Sequence, residues 1–309
     1  MRARLARLVE RLTAALWRAY RPGVAQATAD ATRAARAPQL EPARVAHLLA
    51  VYRQAMADAG VQAAEVSAGF AAEAARFGLA DAAALVEAVG GAPVDAGLVQ
   101  VANVAEGPLR ALLTARTPEH VDRVASALVD GSARGWSPQR IAAEVRRAAG
   151  GPFRNAVLVA RTEAMRAHRT ATLASYQVNP TVDRWRWSAR LTNRTCAACW
   201  AKDGTMQAVD RPMGTHPACM CVMVPVVEGV SDGPAVGPRR FARLDAAEQD
   251  RILGPSKGAA YRDGIIRLED VAAHTHSPAW GEGLRVRTLA ELVGADDAAR
   301  YIAAARSVR

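Results

Sequence analysis

The chain has 309 residues, half of them apolar, and a net charge of +10. That length suits two ordinary domains, or one domain with helical additions, and no apolar run approaches the length of a membrane span. Arginine interrupts the apolar positions of the N-terminal stretch MRARLARLVERLTAALWRAY throughout, so a secretory signal is not expected and synthesis in the cytosol is. Nearly all the positive charge is arginine, Lys202 and Lys257 being the only lysines. Such a balance suits either an acidic partner such as nucleic acid or a well-solvated arginine surface, and composition leaves both open.

Alanine-rich, leucine-spaced text favours helices. Residues 1–20 read as an amphipathic helix with Leu5, Leu8, Val9, Leu12, Leu16 and Tyr20 on one face. Pro22 and Pro38 bracket a polar, alanine-rich stretch. A second helix is predicted from Pro42 to about Ala59, closed by Gly60, with others at about 62–77, 79–89 and 95–115. Residues 118–132 read as another. In GWSPQRIAAEVRRAAGG, Ser137 is a cap, Pro138 suits the first turn and Gly150 and Gly151 end the helix. A long helix is predicted over Phe153–Gln177. The period then changes: VDRWRWSARL alternates, with Trp185 and Trp187 on one face, and CVMVPVV is a short β-branched run. EGVSDGPAVGP reads as a linker. Short helices are expected in the tail, including IRLEDVA, with His274 and His276 in a following loop.

All four cysteines fall within 26 residues, as CAAC at 196–199 and within HPACMC at 216–221. In a cytosolic chain such clustering points to metal before disulfide. Structural zinc takes four cysteine or histidine ligands in a tetrahedron. Cys196, Cys199, Cys219 and Cys221 make up that number, and His216 can replace one of them or support them. The pairs are also spaced so that a disulfide between the two clusters, or free buried thiols, stay open. The HxE of zinc deaminases, HExxH, a Walker A loop and GxGxxG are all missing. No thiol stands out as a nucleophile, so no catalytic residue is assigned. Trp185 and Trp187 could form a base-stacking surface, but bulk for one sheet face explains them better. Arg161 and Glu163 are candidates to pair with the sheet and orient it.

Taken in order, ARTEAMRAHRTATLASY, VDRWRWSA, RTCAACWAKDGT and THPACMCVMVPV resemble the core of the phage Mu F-like minor head proteins, a family that includes head morphogenesis proteins. The resemblance covers about residues 120–295. Two departures are Asn193, where members often carry an acid, and Ala218, where a polar residue is usual. The overall expectation is an α+β, mostly α chain. It has an N-terminal helical region, residues 1–117, for portal or capsid attachment. A small β-containing, cysteine-rich core clipped by structural zinc spans 118–230, and a linker with a short helical tail spans 231–309.

The resemblance implies a non-enzymatic minor capsid protein of a tailed phage. Its place would be the head interior near the portal, after assembly in the host cytoplasm. Its partners would be portal or major capsid protein and double-stranded DNA, with no membrane. The alternatives are a zinc-stabilised DNA-binding protein and a nuclease or toxin-like hydrolase.

Overall fold

The computed structural model describes residues 2–36, 42–98, 117–134, 136–149, 151–227, 236–277 and 281–307. The chain is α+β and mostly α, and it divides into two compact units. The first holds Met1–Phe77 and Ala102–His168; the second holds Gly78–Val101 and Arg169–Arg309.

Helix α1 spans Arg2–Ala34. Its predicted stripe is buried at Leu5, Leu8, Leu12, Leu16 and Tyr20, as the spacing requires. The helix does not stop near Pro22 but runs through it. A proline inside a helix costs a backbone hydrogen bond. The buried stripe nevertheless continues in phase at Val24, Ala27, Ala31 and Ala34, and that burial holds the helix together. Helix α2 spans Pro42–Ala88 as one element. Gly60 therefore does not cap a helix, and the separate helices expected over 62–77 and 79–89 are parts of this one. The buried positions Tyr52, Met56, Ala59, Ala63, Ser67, Ala71 and Ala74 recur every three or four residues without a phase break. A continuous core-facing stripe outweighs the roughly 1 kcal/mol cost of an interior glycine.

Within the first unit α1 and α2 run antiparallel. Arg4 lies over the Phe77 ring at 5.1 Å, Arg11 forms a two-pronged ion pair with Glu73, and Gly23 faces Ala55. The unit also contains α3 (Thr117–Ala133), α4 (Pro138–Ala149) and the start of α5 (Gly151–Gln177). Ser137 caps α4 as expected, its hydroxyl accepting from the Arg140 amide at 3.3 Å. The helix predicted at 95–115 falls mostly outside the described residues; Ala96–Leu98 form a single 3-10 turn.

The second unit is built on a three-stranded antiparallel sheet of order β2-β1-β3. Strand β1 is Val182–Ser188, followed by the short helix α6 (Ala197–Lys202), then β2 (Met206–Ala208) and β3 (Val222–Val227). Trp185 and Trp187 share one face of the central strand and are 1% and 3% exposed. They pack with Tyr176, Met223 and three of the cysteines in one core cluster.

Helices α7 (Val236–Ala242), α8 (Ala246–Leu253) and α9 (Pro255–Arg262) build a second cluster around Phe241 and Trp200. Residues 236–238, expected to be linker, are the first turn of α7; residues 228–235 lie outside the described set. Part of the tail also differs from expectation. Leu268–Val271 is a 3-10 turn, and His274 and His276 lie in strand β4 (Ala272–Ser277), which pairs with β5 (Gly281–Val286). The alternation of small and polar residues there was too weak to reveal a strand. Helices α10 (Leu289–Val293) and α11 (Ala295–Ser307) end the chain.

Candidate metal centre

Cys196 is the N-cap of α6, and its sulfur accepts a hydrogen bond from the Cys199 amide at 3.4 Å. One helical turn therefore aims both thiols of the CxxC the same way. The second half comes from the loop before β3. A turn closes from the Cys219 amide to the His216 carbonyl at 3.2 Å, with Ala218 at φ +58° between them. That left-handed residue stands where the resemblance expects a polar side chain, and asparagine and aspartate tolerate the region better than alanine.

The two halves meet. His216 Nε2 lies 3.1 Å from Cys196 Sγ and 3.3 Å from Cys199 Sγ, and Cys199 Sγ lies 3.7 Å from Cys219 Sγ. Cys196, Cys199 and His216 form one close group of donor atoms, and Cys199, Cys219 and Cys221 another, sharing Cys199. Two thiolates on a tetrahedral zinc stand about 3.8 Å apart, given a zinc–sulfur bond of about 2.3 Å. The spacing seen here fits that geometry, and the four cysteines carry no disulfide. His216 Nδ1 sits 2.9 Å from the Pro217 carbonyl. A proton on Nδ1 donated to that oxygen leaves Nε2 bare towards the thiols, the tautomer a metal ligand needs.

Electrostatics within the group are in conflict. The hydrogen bond with Cys199 holds the Cys196 thiol down at about 5, and His216 is pushed up to about 10 by hydrogen bonds with Cys196 and Cys219. Cys219 is also lowered, chiefly by its hydrogen bonds with Cys199 and Cys221. Cys199 is raised by its bonds to the other three thiols. At Cys221 the bond with Cys199 lowers the value, but the bond with Cys219 and burial outweigh it and push the thiol up to about 12. Neighbouring thiolates repel, so some ionise only where others keep their protons. A divalent cation removes the conflict by letting every bound thiol lose its proton. A soft thiolate and imidazole set suits zinc, and these residues could hold it.

Arg169 supports the second half. Its guanidinium donates to the Cys219 carbonyl at 2.7 Å, to the Cys221 carbonyl at 3.0 Å and to Thr215 Oγ1 at 3.1 Å. The side chain is 6% exposed. A planar fork bridging two carbonyls is a task for arginine that lysine cannot repeat. Sequence reasoning missed this residue. A signal was available: Arg169 stands in step with Met165, Thr172 and Tyr176 on the buried face of α5, an expensive place for an unpartnered charge.

Asp203 is the C-cap of α6. It is buried, and its carboxylate accepts from the Ala189 amide at 2.7 Å and the Gly237 amide at 2.8 Å. It thereby ties α6 to the chain after β1 and to α7.

Glu163 pairs with Arg166 on its own helix rather than with the sheet. His168 is a buried helix residue. His274 and His276 join no group of three metal donors among the described residues. Trp185 and Trp187 are core and offer no stacking surface.

Comparison with known proteins places this site in context. Residues 122–224 match the family model described as Phage Mu protein F like protein. That stretch contains the CxxC, the His216 loop and Arg169, so the resemblance carried by the ordered motifs holds there. No curated protein and no solved structure matches the chain.

Proposed function

We propose that this chain, with its Mu F-like segment, is a minor head protein of a tailed phage, and that a structural zinc ion clips its cysteine-rich core. The supporting observation is the convergence of Cys196 and Cys199 on the first turn of α6 with His216, Cys219 and Cys221 of the loop before β3, within the matched stretch. Zinc would supply folding energy there by cross-linking the α6 turn to the loop before β3. The four cysteines are the proposed ligands, with His216 either replacing one or bonding to them. In this reading residues 1–117 attach to portal or capsid, 118–230 form the clipped core and 231–309 form the tail. The chain resides in the head near the portal, and its arginine excess faces packaged DNA. It acts without catalysis.

Two measurements test this. Elemental analysis of the purified chain should give about one zinc per chain, with thiols released only on chelation. Proteomics of purified heads should find the chain in few copies, and it should co-purify with the portal protein. A metal-free chain with cross-linked cysteines would refute the clip. Absence from heads would refute the structural role.

A further inference from the structure

A groove of about 720 Å³ lies in the first unit, lined by α1, the end of α4 and the start of α5. Its apolar part is built on Trp17 and Phe153, whose rings meet edge to face with centroids 4.8 Å apart. Trp17 is 48% exposed. The core-facing stripe of α1 is already complete without it, so core packing does not account for a tryptophan at that position. The rim is basic: Arg21, Arg36, Arg146 and Arg154 all line the groove and all are exposed. Among the described residues no aspartate or glutamate lines it. Arg33, which also lines the groove, is matched by Asp30, as Arg11 is by Glu73 and Arg147 by Glu144. Among the described residues none of the four rim arginines has a carboxylate partner.

We infer that this groove docks an acidic amphipathic segment of a second protein, its apolar side chains on Trp17 and Phe153 and its carboxylates on the arginine rim. A nucleic-acid backbone would use the arginines and leave the apolar floor wet. A purely apolar ligand would leave four positive charges without a counterpart. A segment carrying both chemistries satisfies both parts, and tryptophan and arginine are among the residue types enriched at binding hot spots. Charge complementarity of this kind also speeds encounter and rejects basic partners. The identity of the partner as a head component rests on the proposed function; the groove does not.

The test places a photo-reactive amino acid at Ala25, an exposed lining position, in the full chain within cells assembling the phage particles. The expected result is cross-linking to one segment of another protein, rich in Asp and Glu, with apolar residues every three or four positions. The combined substitution Arg21→Glu, Arg146→Glu and Arg154→Glu should cut the yield about tenfold or more. The milder Arg→Gln set, checked for unchanged helicity by circular dichroism, should give an intermediate loss. Cross-links to DNA, to a second copy, to another part of the same chain or to a basic segment overturn the inference. So does a yield indifferent to charge reversal, or no cross-link in chains recovered from heads. Cross-linking to an acidic segment by a chain absent from heads would sink the proposed function and leave the groove's role standing.

Discussion

At Arg169 one side chain holds two carbonyls of the loop that carries Cys219 and Cys221. Replacing it with methionine keeps the bulk of the stem but leaves those buried acceptors unpaired. The expected cost is about 2–4 kcal/mol, with faster zinc release to a chromogenic chelator. Arg169→Lys should recover only part of this, because an ammonium cannot bridge both carbonyls. Denaturant melts with and without added zinc would separate the two effects, and a wild-type release rate in Arg169→Met would exclude the supporting role.

Ala218 carries the opposite sign. Its left-handed φ of +58° is strained for alanine, so Ala218→Gly should be neutral to stabilising by up to about 1 kcal/mol, and Ala218→Val clearly destabilising.

Glu291 supplies a pH dependence. Arg285 and the Thr288 amide and hydroxyl hold its carboxyl down at about 2, below the ordinary 4.5. A lowered folded value means the carboxylate favours the fold above the unfolded value and loses that contribution as pH falls through the folded one. The stability difference between wild type and Glu291→Gln should thus be full above about pH 4.5 and gone by about pH 2. A difference that is constant with pH would mean the capping box at α10 contributes through shape alone.

At the scale of elements, α2 and α7 show glycine used in two different ways. Gly69 is exposed inside α2, and an added methyl would meet nothing within 4 Å. Gly69→Ala should therefore stabilise by about 0.5–1 kcal/mol, seen as a rise in melting temperature. Gly237 in α7 approaches so closely that a methyl would sit 2.6 Å from the Asp203 Cβ and 2.9 Å from the Trp200 carbonyl. Gly237→Ala should separate α7 from α6 and cost about 1–3 kcal/mol. Asp203→Ala, which orphans two buried amides, should cost a similar amount. The two changes act on one contact, so the double variant should lose less than the sum. Strict additivity would show that they act independently.

For the whole molecule, the reach of the proposed zinc clip is the question. Three tryptophans of the second unit, Trp185, Trp187 and Trp200, are buried there, two of them in the same cluster as three cysteines. Chelation should red-shift their fluorescence, while Trp17 and Trp136 of the first unit respond little.

Local pattern alone determined a good deal about this protein. The apolar face of α1, the Ser137 cap, the alternating β1, the clustering of every thiol and the ordered Mu F-like motifs all depend on spacing along the chain. Short-range rules carry no information on what lies opposite. Only the tertiary structure decided that α1 runs through Pro22 and α2 through Gly60, because burial against a neighbouring helix outweighs local helix-breaking. It also decided that His274 and His276 lie in a strand, since pairing with β5 supplies bonds that the segment's own propensity does not predict. Arg169 and Asp203 act on partners up to 52 and 34 residues away. The meeting of His216 with the first cysteine pair is a long-range contact of the same kind, fixed when the chain folds back between α6 and β3.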